Sequence, residues 1–244
     1  TLLVGLTRTC PLNKCKFCCL YKVETVSNRP LDNVIRDIDT IRHYVDETEK
    51  IVQQPGGGEQ RGLYNLPVAL QTGQPEFEEM AVHTPLNWIR GGMKSVFLQD
   101  ANSMIVKPDD LVKILDHVRQ AFPQVKRITS YARSQSVARI SDEDMARIAA
   151  AGLNRVHIGM ESGADEILDL VKKGVDKKRH IIAGKKVKAA GIELSEYFMP
   201  GLGGVQLSRQ NALETADAMN HIDPDFIRIR TLAIPEQVEL YQDV

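Results

Sequence analysis

The sequence has no long apolar segment, few aromatic residues and no excess of charge of either sign. No hydrophobic run approaches the roughly 20 residues that cross a bilayer, and the opening TLLVGLTRTC lacks the regions of a secretory signal. We therefore expect no membrane partner and a cytoplasmic location. Lys and Arg number 31 against 32 Asp and Glu, so no overall field attracts nucleic acid, and a nucleic-acid partner is not expected.

Cysteine is absent from the chain except in one short segment. All four cysteines, Cys10, Cys15, Cys18 and Cys19, lie in CPLNKCKFCC. A disulfide framework has its cysteines spread along the chain, whereas disulfides between thiols this close in sequence would not connect distant segments. The segment therefore predicts a metal site or a redox site.

The spacing of the thiols favours one kind of site over the others. A structural zinc ion needs four ligands, and the histidines are scattered without paired spacing. A thioredoxin-like dithiol at Cys15 and Cys18 leaves Cys10 without a role, and a ferredoxin takes four thiolates per cluster. Three thiolates in C-x4-C-x2-C can hold three irons of a 4Fe-4S cluster and leave the fourth iron open. Cys10, Cys15 and Cys18 are the predicted ligands, and Cys19 is expected to be a small buried residue.

The rest of the chain alternates strand-like and helix-like segments. Six segments are rich in β-branched and aromatic residues and predict strands, at residues 2–7, 95–99, 127–133, 155–160, 192–198 and 226–232. Because successive β-α units imply a parallel sheet with right-handed crossovers, we predict an α/β fold, a barrel or partial barrel with outer helices. A polar insertion is expected at about residues 52–76, between the first two units.

Alternation along these strands predicts a polar interior. If the apolar set faces the helices, the inward positions are Thr129, Tyr131, Arg133, Arg155, His157, Gly159, Glu161, Glu193, Ser195, Tyr197, Arg228 and Arg230. Complete eight-stranded barrels fill this space with Val, Ile and Leu, so we expect a ligand chamber, with Arg155 reaching solvent at a strand start. Two inward arginines favour an anionic substrate near Arg230, although pairing with Glu193 or Glu196 is equally compatible.

The cysteine loop, with Phe17 before the third cysteine, resembles the signature of the radical S-adenosylmethionine (SAM) superfamily. That signature is usually C-x3-C-x-aromatic-C, and the first gap is one residue longer here. The segment IGMESG resembles the ribose-contacting IGVQS or IGVES of relatives of the oxygen-independent coproporphyrinogen dehydrogenase and the radical methylthiotransferases. The resemblance implies a (βα)6 partial TIM-like barrel over residues 1–244. Since the chain opens with Thr1 inside a strand, we expect flanking domains to be missing from this fragment.

The resemblance also implies a set of SAM contacts. Asp100 stands where the family often has GGE, which binds the methionine amino group, and Glu161 stands at the ribose position. Lys173 or Arg133 would meet the methionine carboxylate, and the turn FMPGLGG would approach adenine. The residues expected to bind SAM are Phe17, Asp100, Asn102, Tyr131, Arg133, Glu161, Ser162, Lys173, Ser195 and Pro200.

The implied activity is reductive cleavage of SAM at a 4Fe-4S cluster, giving methionine and a 5′-deoxyadenosyl radical that abstracts hydrogen from an unidentified substrate. An electron donor such as ferredoxin or flavodoxin and an anaerobic cytoplasm follow from that chemistry. Two alternatives are open at this point. One is an electron-transfer or redox-sensing module with the same cysteines. The other is a barrel hydrolase or aldolase, which the absence of lysine from the six strand segments disfavours.

Overall fold

The computed structural model describes residues 1–22, 25–53 and 87–242. The strands in these ranges are β1 (Leu2–Gly5), β2 (Thr7–Arg8), β3 (Ser27–Asn28), β4 (Ser95–Gln99), β5 (Arg127–Ala132), β6 (Leu153–Glu161), β7 (Glu193–Phe198) and β8 (Phe226–Ile229). All six predicted strand segments are therefore confirmed. The last strand ends at Ile229 rather than at residue 232.

Six of these strands form one parallel sheet in the order β1-β4-β5-β6-β7-β8. The sheet does not close, and β1 and β8 are its edges within the described chain. This arrangement confirms the predicted α/β fold, a six-unit parallel sheet with outer helices. Because all six strands run in one direction, their carboxyl ends meet at a single edge, where parallel sheets place their sites.

Helices connect the strands and cover the outer face of the sheet. Their bounds are Leu31–Gln53, Pro108–Ala121, Ser134–Val137, Asp142–Ala151, Asp165–Leu170, Lys177–Ala189 and Ser208–Ile222, with 3-10 turns at Ser103–Ile105 and Glu239–Gln242. Ser141 caps one helix by accepting a hydrogen bond from Asp144 N at 3.0 Å, and Gly152, at φ 119°, ends it. Within the described ranges, no helix is both long and apolar enough to cross a membrane.

The predicted polar insertion at about residues 52–76 lies almost wholly outside the described residues. Only its first two positions are covered, and they belong to the helix Leu31–Gln53.

The apolar core lies between the sheet and its helices. On β6, Val156, Ile158 and Met160 are fully buried, and Leu194 on β7 joins them. Burying one such side chain contributes about 1.5–3 kcal/mol, so a shift of one residue in register would be strongly unfavourable. The predicted orientation of these strands is confirmed, and it directs the alternate polar residues into the interior.

The outward face of β8 differs from the other strands. Ile227 and Ile229 point away from the interior as predicted, but they are 55% and 70% exposed, and no described helix covers them. Alternation predicts the direction of a side chain but not whether another element lies over it.

A short antiparallel pair holds the cysteine loop against the sheet. In β2 and β3, Thr7 lies opposite Asn28 and Arg8 opposite Ser27. The sequence pattern assigned residue 7 to the first strand and did not predict this pair. It joins the two ends of the segment that contains all four cysteines, and so fixes that segment at the carboxyl edge of β1.

The two isoleucines that face outward on β6 and β8 give a direct test of this packing. Ile158→Ala should lower the free energy of unfolding by about 2–5 kcal/mol, because it leaves a cavity in the core. Ile229→Ala, the same change at an exposed position, should alter it by less than about 0.5 kcal/mol. Urea unfolding of both variants measures the difference. An equal loss in both would show that β8 is covered.

Candidate functional site

Cys10, Cys15 and Cys18 lie in the loop between β2 and β3. The backbone N–H of Cys18 donates to Cys15 O at 3.2 Å, so the second and third thiols belong to one turn. These three cysteines are partly buried, all four are free thiols, and Cys19 is exposed. The exposure of Cys19 corrects the expectation that it is buried, because its neighbour Cys18 takes the inward side of the turn.

The three partly buried thiols fit an iron–sulfur cluster better than a single metal ion. Across residues 1–22, 25–53 and 87–242, no three His, Cys, Asp or Glu side chains converge closely enough for one ion. A 4Fe-4S cluster held by three thiolates takes one thiolate at each of three irons, so its ligands lie farther apart than those of a single ion. Burial raises the pKa of Cys15, while Lys173 and Arg133 oppose that rise and favour the thiolate. The donor set and the neighbouring cations therefore suit an anionic cluster.

Backbone hydrogen bonds fix the middle of the cysteine loop from two sides. Lys16 N donates to Val171 O at 3.0 Å, and Leu240 N donates to Lys16 O at 3.0 Å. Phe17 packs beside the buried Leu202 and Leu240 in a small apolar cluster separate from the main core. Main-chain hydrogen bonds and apolar packing thus hold the loop at the carboxyl edge of the sheet, which we call the mouth.

Asp100, at the end of β4, is bonded to the cysteine loop through both carboxylate oxygens. Tyr21 donates its hydroxyl to Oδ1 at 2.5 Å, and Thr9 N donates to Oδ2 at 3.1 Å. Burial, and then the hydrogen bond to Asp100, raise the pKa of Tyr21 well above its usual range. Sequence reasoning missed Tyr21, which follows the last cysteine by two residues and carries no motif of its own.

Asn102 is fully buried and links two loops at the carboxyl edge. Its Oδ1 accepts from Arg133 N at 3.0 Å, and its Nδ2 donates to Ser136 Oγ at 2.7 Å. Both ends of the amide are therefore used within the protein. This side chain holds the end of β5 in place against the end of β4.

Glu161, Lys173, Arg133 and Phe17 meet beside the cysteine loop. Lys173 Nζ lies 3.2 Å from Glu161 Oε1, and these side chains are 11% and 12% exposed. The same ammonium lies 5.5 Å from the centre of the Phe17 ring, and Arg133 Nη2 donates to Lys173 O at 2.9 Å. The structure thus brings four of the predicted SAM contacts together.

Gly159 makes room for this ion pair. A Cβ at that position would lie 2.3 Å from Glu161 Oε1 and 3.2 Å from Lys173 Nζ. Glu161 itself has φ 67°, in the left-handed region, which turns its side chain back over the glycine. A side chain at position 159 would therefore force the Glu161 carboxylate to move.

Ser162 and Pro200 take different positions. Ser162 is fully buried, donates to Asn211 Oδ1 at 2.7 Å and accepts from Ala164 N at 3.0 Å. Pro200 is exposed in the turn after β7, and Met199 N before it donates to Glu161 O at 2.9 Å. Ser162 therefore shapes the loop after Glu161, while the Pro200 turn borders the mouth directly.

Aromatic rings fill the interior below this mouth. Tyr131 lies 4.7 Å from Phe97 and 5.7 Å from His157 between ring centres, and His157 lies 6.0 Å from Tyr197. His157 and Tyr197 are 6% and 9% exposed, whereas Phe97 and Tyr131 are partly exposed. The predicted chamber is therefore closed at its lower part by four rings. Phe97 was missed, although alternation with the buried Val96 and Leu98 would have found it.

Two cations, Arg228 on β8 and Arg230 just after it, lie beside the last of these rings. Their guanidinium carbons are 6.0 and 4.7 Å from the centre of the Tyr197 ring, so both side chains are directed to the predicted side of the sheet, and both residues are exposed. Neither forms an ion pair with a carboxylate of the described chain. Glu193 is bonded to Arg155 at 2.6 Å instead.

Arg155 was expected to reach solvent, but the structure shows it nearly buried. Its side chain is 11% exposed, since it pairs with Glu193 and lies 4.4 Å from the centre of the Phe226 ring. The position near a strand start did not reveal these two partners.

Three buried polar side chains in the sheet lack hydrogen-bond partners within the described chain. They are His157 at Nδ1, Ser195 at Oγ and Glu196 at both carboxylate oxygens. His157 and Ser195 are register neighbours on β6 and β7, whereas Glu196 lies on the opposite face beside Ile158. Burial raises the pKa of Glu196 well above its usual value, and the charge of Glu161 acts in the same direction. Its surroundings therefore favour the protonated form of Glu196.

Comparison with known proteins finds a family model, described as the radical SAM superfamily, that matches residues 4–216. Among curated proteins, the tRNA uridine(34) acetyltransferase of Methanocaldococcus infernus is 28% identical over 103 residues. That match covers 42% of this chain and 19% of the acetyltransferase, so the matched segment is about a fifth of that relative's length.

Two solved structures have a similar fold. Coproporphyrinogen III oxidase from Escherichia coli aligns with a TM-score of 0.58 and 14% identity, covering 100% of this chain and 46% of the oxidase. The radical SAM methyltransferase TsrM from Kitasatospora setae aligns with a TM-score of 0.57 and 13% identity, covering 94% and 36%. At these sequence identities, the similarity shows a common fold and nothing more.

The buried histidines predict a loss of stability in acid. Burial lowers the pKa of His157 to about 4 and that of His180 to about 3. The unfolded chain therefore binds these protons first as the pH falls below about 6.5, and stability is lost between there and the folded-state values. From about pH 7.5 to about pH 5, the free energy of unfolding should fall by about 1–2 kcal/mol per histidine.

Urea unfolding at both pH values measures this loss. His157→Phe keeps a ring in the stack and removes the titrating group, so the loss should be smaller in that variant. An undiminished loss would contradict the assignment to His157.

Proposed function

Since the chain belongs to the radical SAM superfamily, we propose that it holds a 4Fe-4S cluster at Cys10, Cys15 and Cys18 and reductively cleaves SAM. When bound, the reduced cluster supplies the electron that splits SAM into methionine and a 5′-deoxyadenosyl radical, which takes hydrogen from a substrate. The observation that carries the proposal is the group of three partly buried free thiols at the carboxyl edge of a six-stranded parallel sheet.

Glu161 and Lys173 are the proposed polar contacts of SAM. Their side chains are paired and nearly buried, so a ligand carrying both hydroxyl and carboxylate groups can engage each partner without leaving a buried charge alone. Glu161 would accept from the ribose hydroxyls, and Lys173 would meet the methionine carboxylate. The Arg133 side chain donates a hydrogen bond to the carbonyl oxygen of Lys173, and it would compete with Lys173 for the methionine carboxylate.

The other proposed contacts act from the loops around this pair. Asp100 can hold Tyr21 and Thr9 and still accept from the methionine ammonium, because a carboxylate offers about four acceptor positions. Asn102 and Ser162 would contribute through the loops that they fix. Phe17 and Pro200 would border the adenine, and Tyr131 and Ser195 would face the ligand from the interior.

The substrate is proposed to carry a carboxylate or a phosphate. Arg228 and Arg230 lie side by side over Tyr197, with no carboxylate partner in the described chain. Both residues are exposed, and an anion bound between the two neighbouring guanidiniums would relieve their mutual repulsion.

A small-molecule substrate is favoured over a nucleic acid. The curated relative named above is a tRNA enzyme, but it matches this chain over only 103 residues, and the net charge of −1 provides no general attraction for RNA. An acidic electron donor such as ferredoxin or flavodoxin and a reducing, cytoplasmic environment complete the proposal.

Anaerobic reconstitution tests the cluster and its ligands. The native protein should bind about four irons and four sulfides per chain. It should also form 5′-deoxyadenosine from SAM with dithionite. Cys10→Ala, Cys15→Ala and Cys18→Ala should each lose the cluster, whereas Cys19→Ala, the matched control in the same loop, should keep it. Loss in Cys19→Ala with retention in Cys10→Ala would contradict the ligand assignment.

The same assay separates the two hypotheses for the cysteines. An electron-transfer or redox-sensing module would bind the cluster and undergo reduction without forming 5′-deoxyadenosine. Cluster binding without that product, at saturating SAM, would therefore reject the proposed activity and favour the module.

Two carboxylates that each pair with a cation, the nearly buried Glu161 and the half-exposed Glu193, provide a test of the SAM site. Glu161→Gln should weaken SAM binding by about 1.5–3 kcal/mol while the iron content stays the same, since it loses a charged hydrogen bond to the ligand. Glu193→Gln removes the carboxylate that pairs with Arg155 and should leave SAM affinity unchanged. Equilibrium dialysis with the reconstituted protein measures both. Equal affinity in the native protein and Glu161→Gln would remove Glu161 from the site.

A further inference from the structure

The interior of the sheet presents a continuous surface of flat side chains. Phe97, Tyr131, His157 and Tyr197 come from four neighbouring strands, and each ring touches the next. Phe97 and His157 are close to parallel, with an angle of 13° between their planes and 5.8 Å between their centres. Parallel barrels usually fill this space with aliphatic side chains. We call these four residues the aromatic floor.

The floor carries cations and hydroxyls at its β8 side. The guanidinium carbon of Arg230 lies 4.7 Å from the centre of the Tyr197 ring, and that of Arg228 lies 6.0 Å from the same centre. This edge of the floor therefore places two guanidinium groups, which donate hydrogen bonds to anions, beside an aromatic ring.

Two polar atoms at the floor have no protein partner. His157 Nδ1 and Ser195 Oγ are buried, face the interior from register-paired positions, and lack a hydrogen-bond partner among the described residues. An unsatisfied buried donor or acceptor is costly, and each such group calls for an explanation. A ligand with a polar ring atom or substituent would satisfy them.

We infer that the substrate of the proposed reaction is a flat, conjugated anion: an aromatic or heteroaromatic ring with a carboxylate or phosphate, resting on the aromatic floor. The anionic group meets Arg228 and Arg230, and the ring meets the partly exposed faces of Tyr131 and Phe97. This inference rests on the proposed function, because it names the substrate class of that chamber. A saturated anion of the same size would reach the same guanidiniums without the stacking contacts.

Matched pairs of small probes test the inference on the reconstituted full chain. Benzoate is compared with cyclohexanecarboxylate, and phenyl phosphate with cyclohexyl phosphate, by isothermal titration calorimetry under anaerobic conditions. The two members of each pair share the anionic group and differ in the flat ring. The aromatic member of at least one pair should bind about threefold to tenfold more tightly, and the better pair identifies carboxylate or phosphate.

Variants assign the preference to the floor. Tyr131→Leu should remove the difference between aromatic and saturated probes, and Tyr131→Phe should keep it. Arg230→Gln should weaken both members of the pair. Tyr241→Leu, the same change at a half-exposed ring far from the floor in sequence, should leave the preference unchanged.

Equal affinities within both pairs, no binding of any probe, or a preference that persists in Tyr131→Leu would overturn the inference. If Tyr131→Leu fails to fold, the native preference and its retention in Tyr131→Phe still decide the outcome. Formation of 5′-deoxyadenosine, measured on the same preparation without probes, reports on the proposed function alone. Product formation without a ring preference would reject the inference and leave the proposed function standing.

Discussion

The ammonium of Lys173 connects the parts of the mouth on which the rest of the site depends. It pairs with Glu161 at the end of β6, lies over Phe17 in the cysteine loop, and its residue's carbonyl accepts from Arg133 after β5. These side chains are almost buried, so removing one partner would leave an uncompensated charge in a medium of low dielectric. Each member of the pair therefore depends on the other to stay in place, and a side chain at Gly159 would displace the Glu161 carboxylate.

The interior departs from the packing of an ordinary protein core at several points. His157 and Ser195 each present a polar atom that nothing in the described chain satisfies. The aliphatic layer on the other side of the sheet, with Ile158 and Leu194 among its members, offsets this cost. Stability thus comes from the outer face of the sheet, and the inner face is free to carry chemistry that would be unfavourable in a core.

Most of the fold and part of the site could be predicted from the sequence. The alternation of side chains along β6 assigned Ile158 to the apolar face and His157 to the interior, because one face of each strand must be apolar. The spacing of the cysteines reduced the number of site types that the thiols could form. Contacts between distant side chains could not be predicted in this way. The bond from Tyr21 to Asp100 joins a loop to a strand end far along the chain, and the burial of Arg155 depends on partners that no local pattern reveals. The exposure of Ile229 shows the same limit, since the period of a strand says nothing about what covers it.

The hydrogen bond from Leu240 N to Lys16 O has a consequence for the order of assembly. Its two residues lie near opposite ends of the described chain, and contacts of such long range form late because the intervening chain must already be organised. The cysteine loop precedes the segment at Glu239–Gln242 in the chain, but it reaches its final conformation only after that segment has docked on it. Iron and sulfide would therefore be loaded after this segment has docked, and a shortened chain that stops before it would hold its thiols in an unfinished loop.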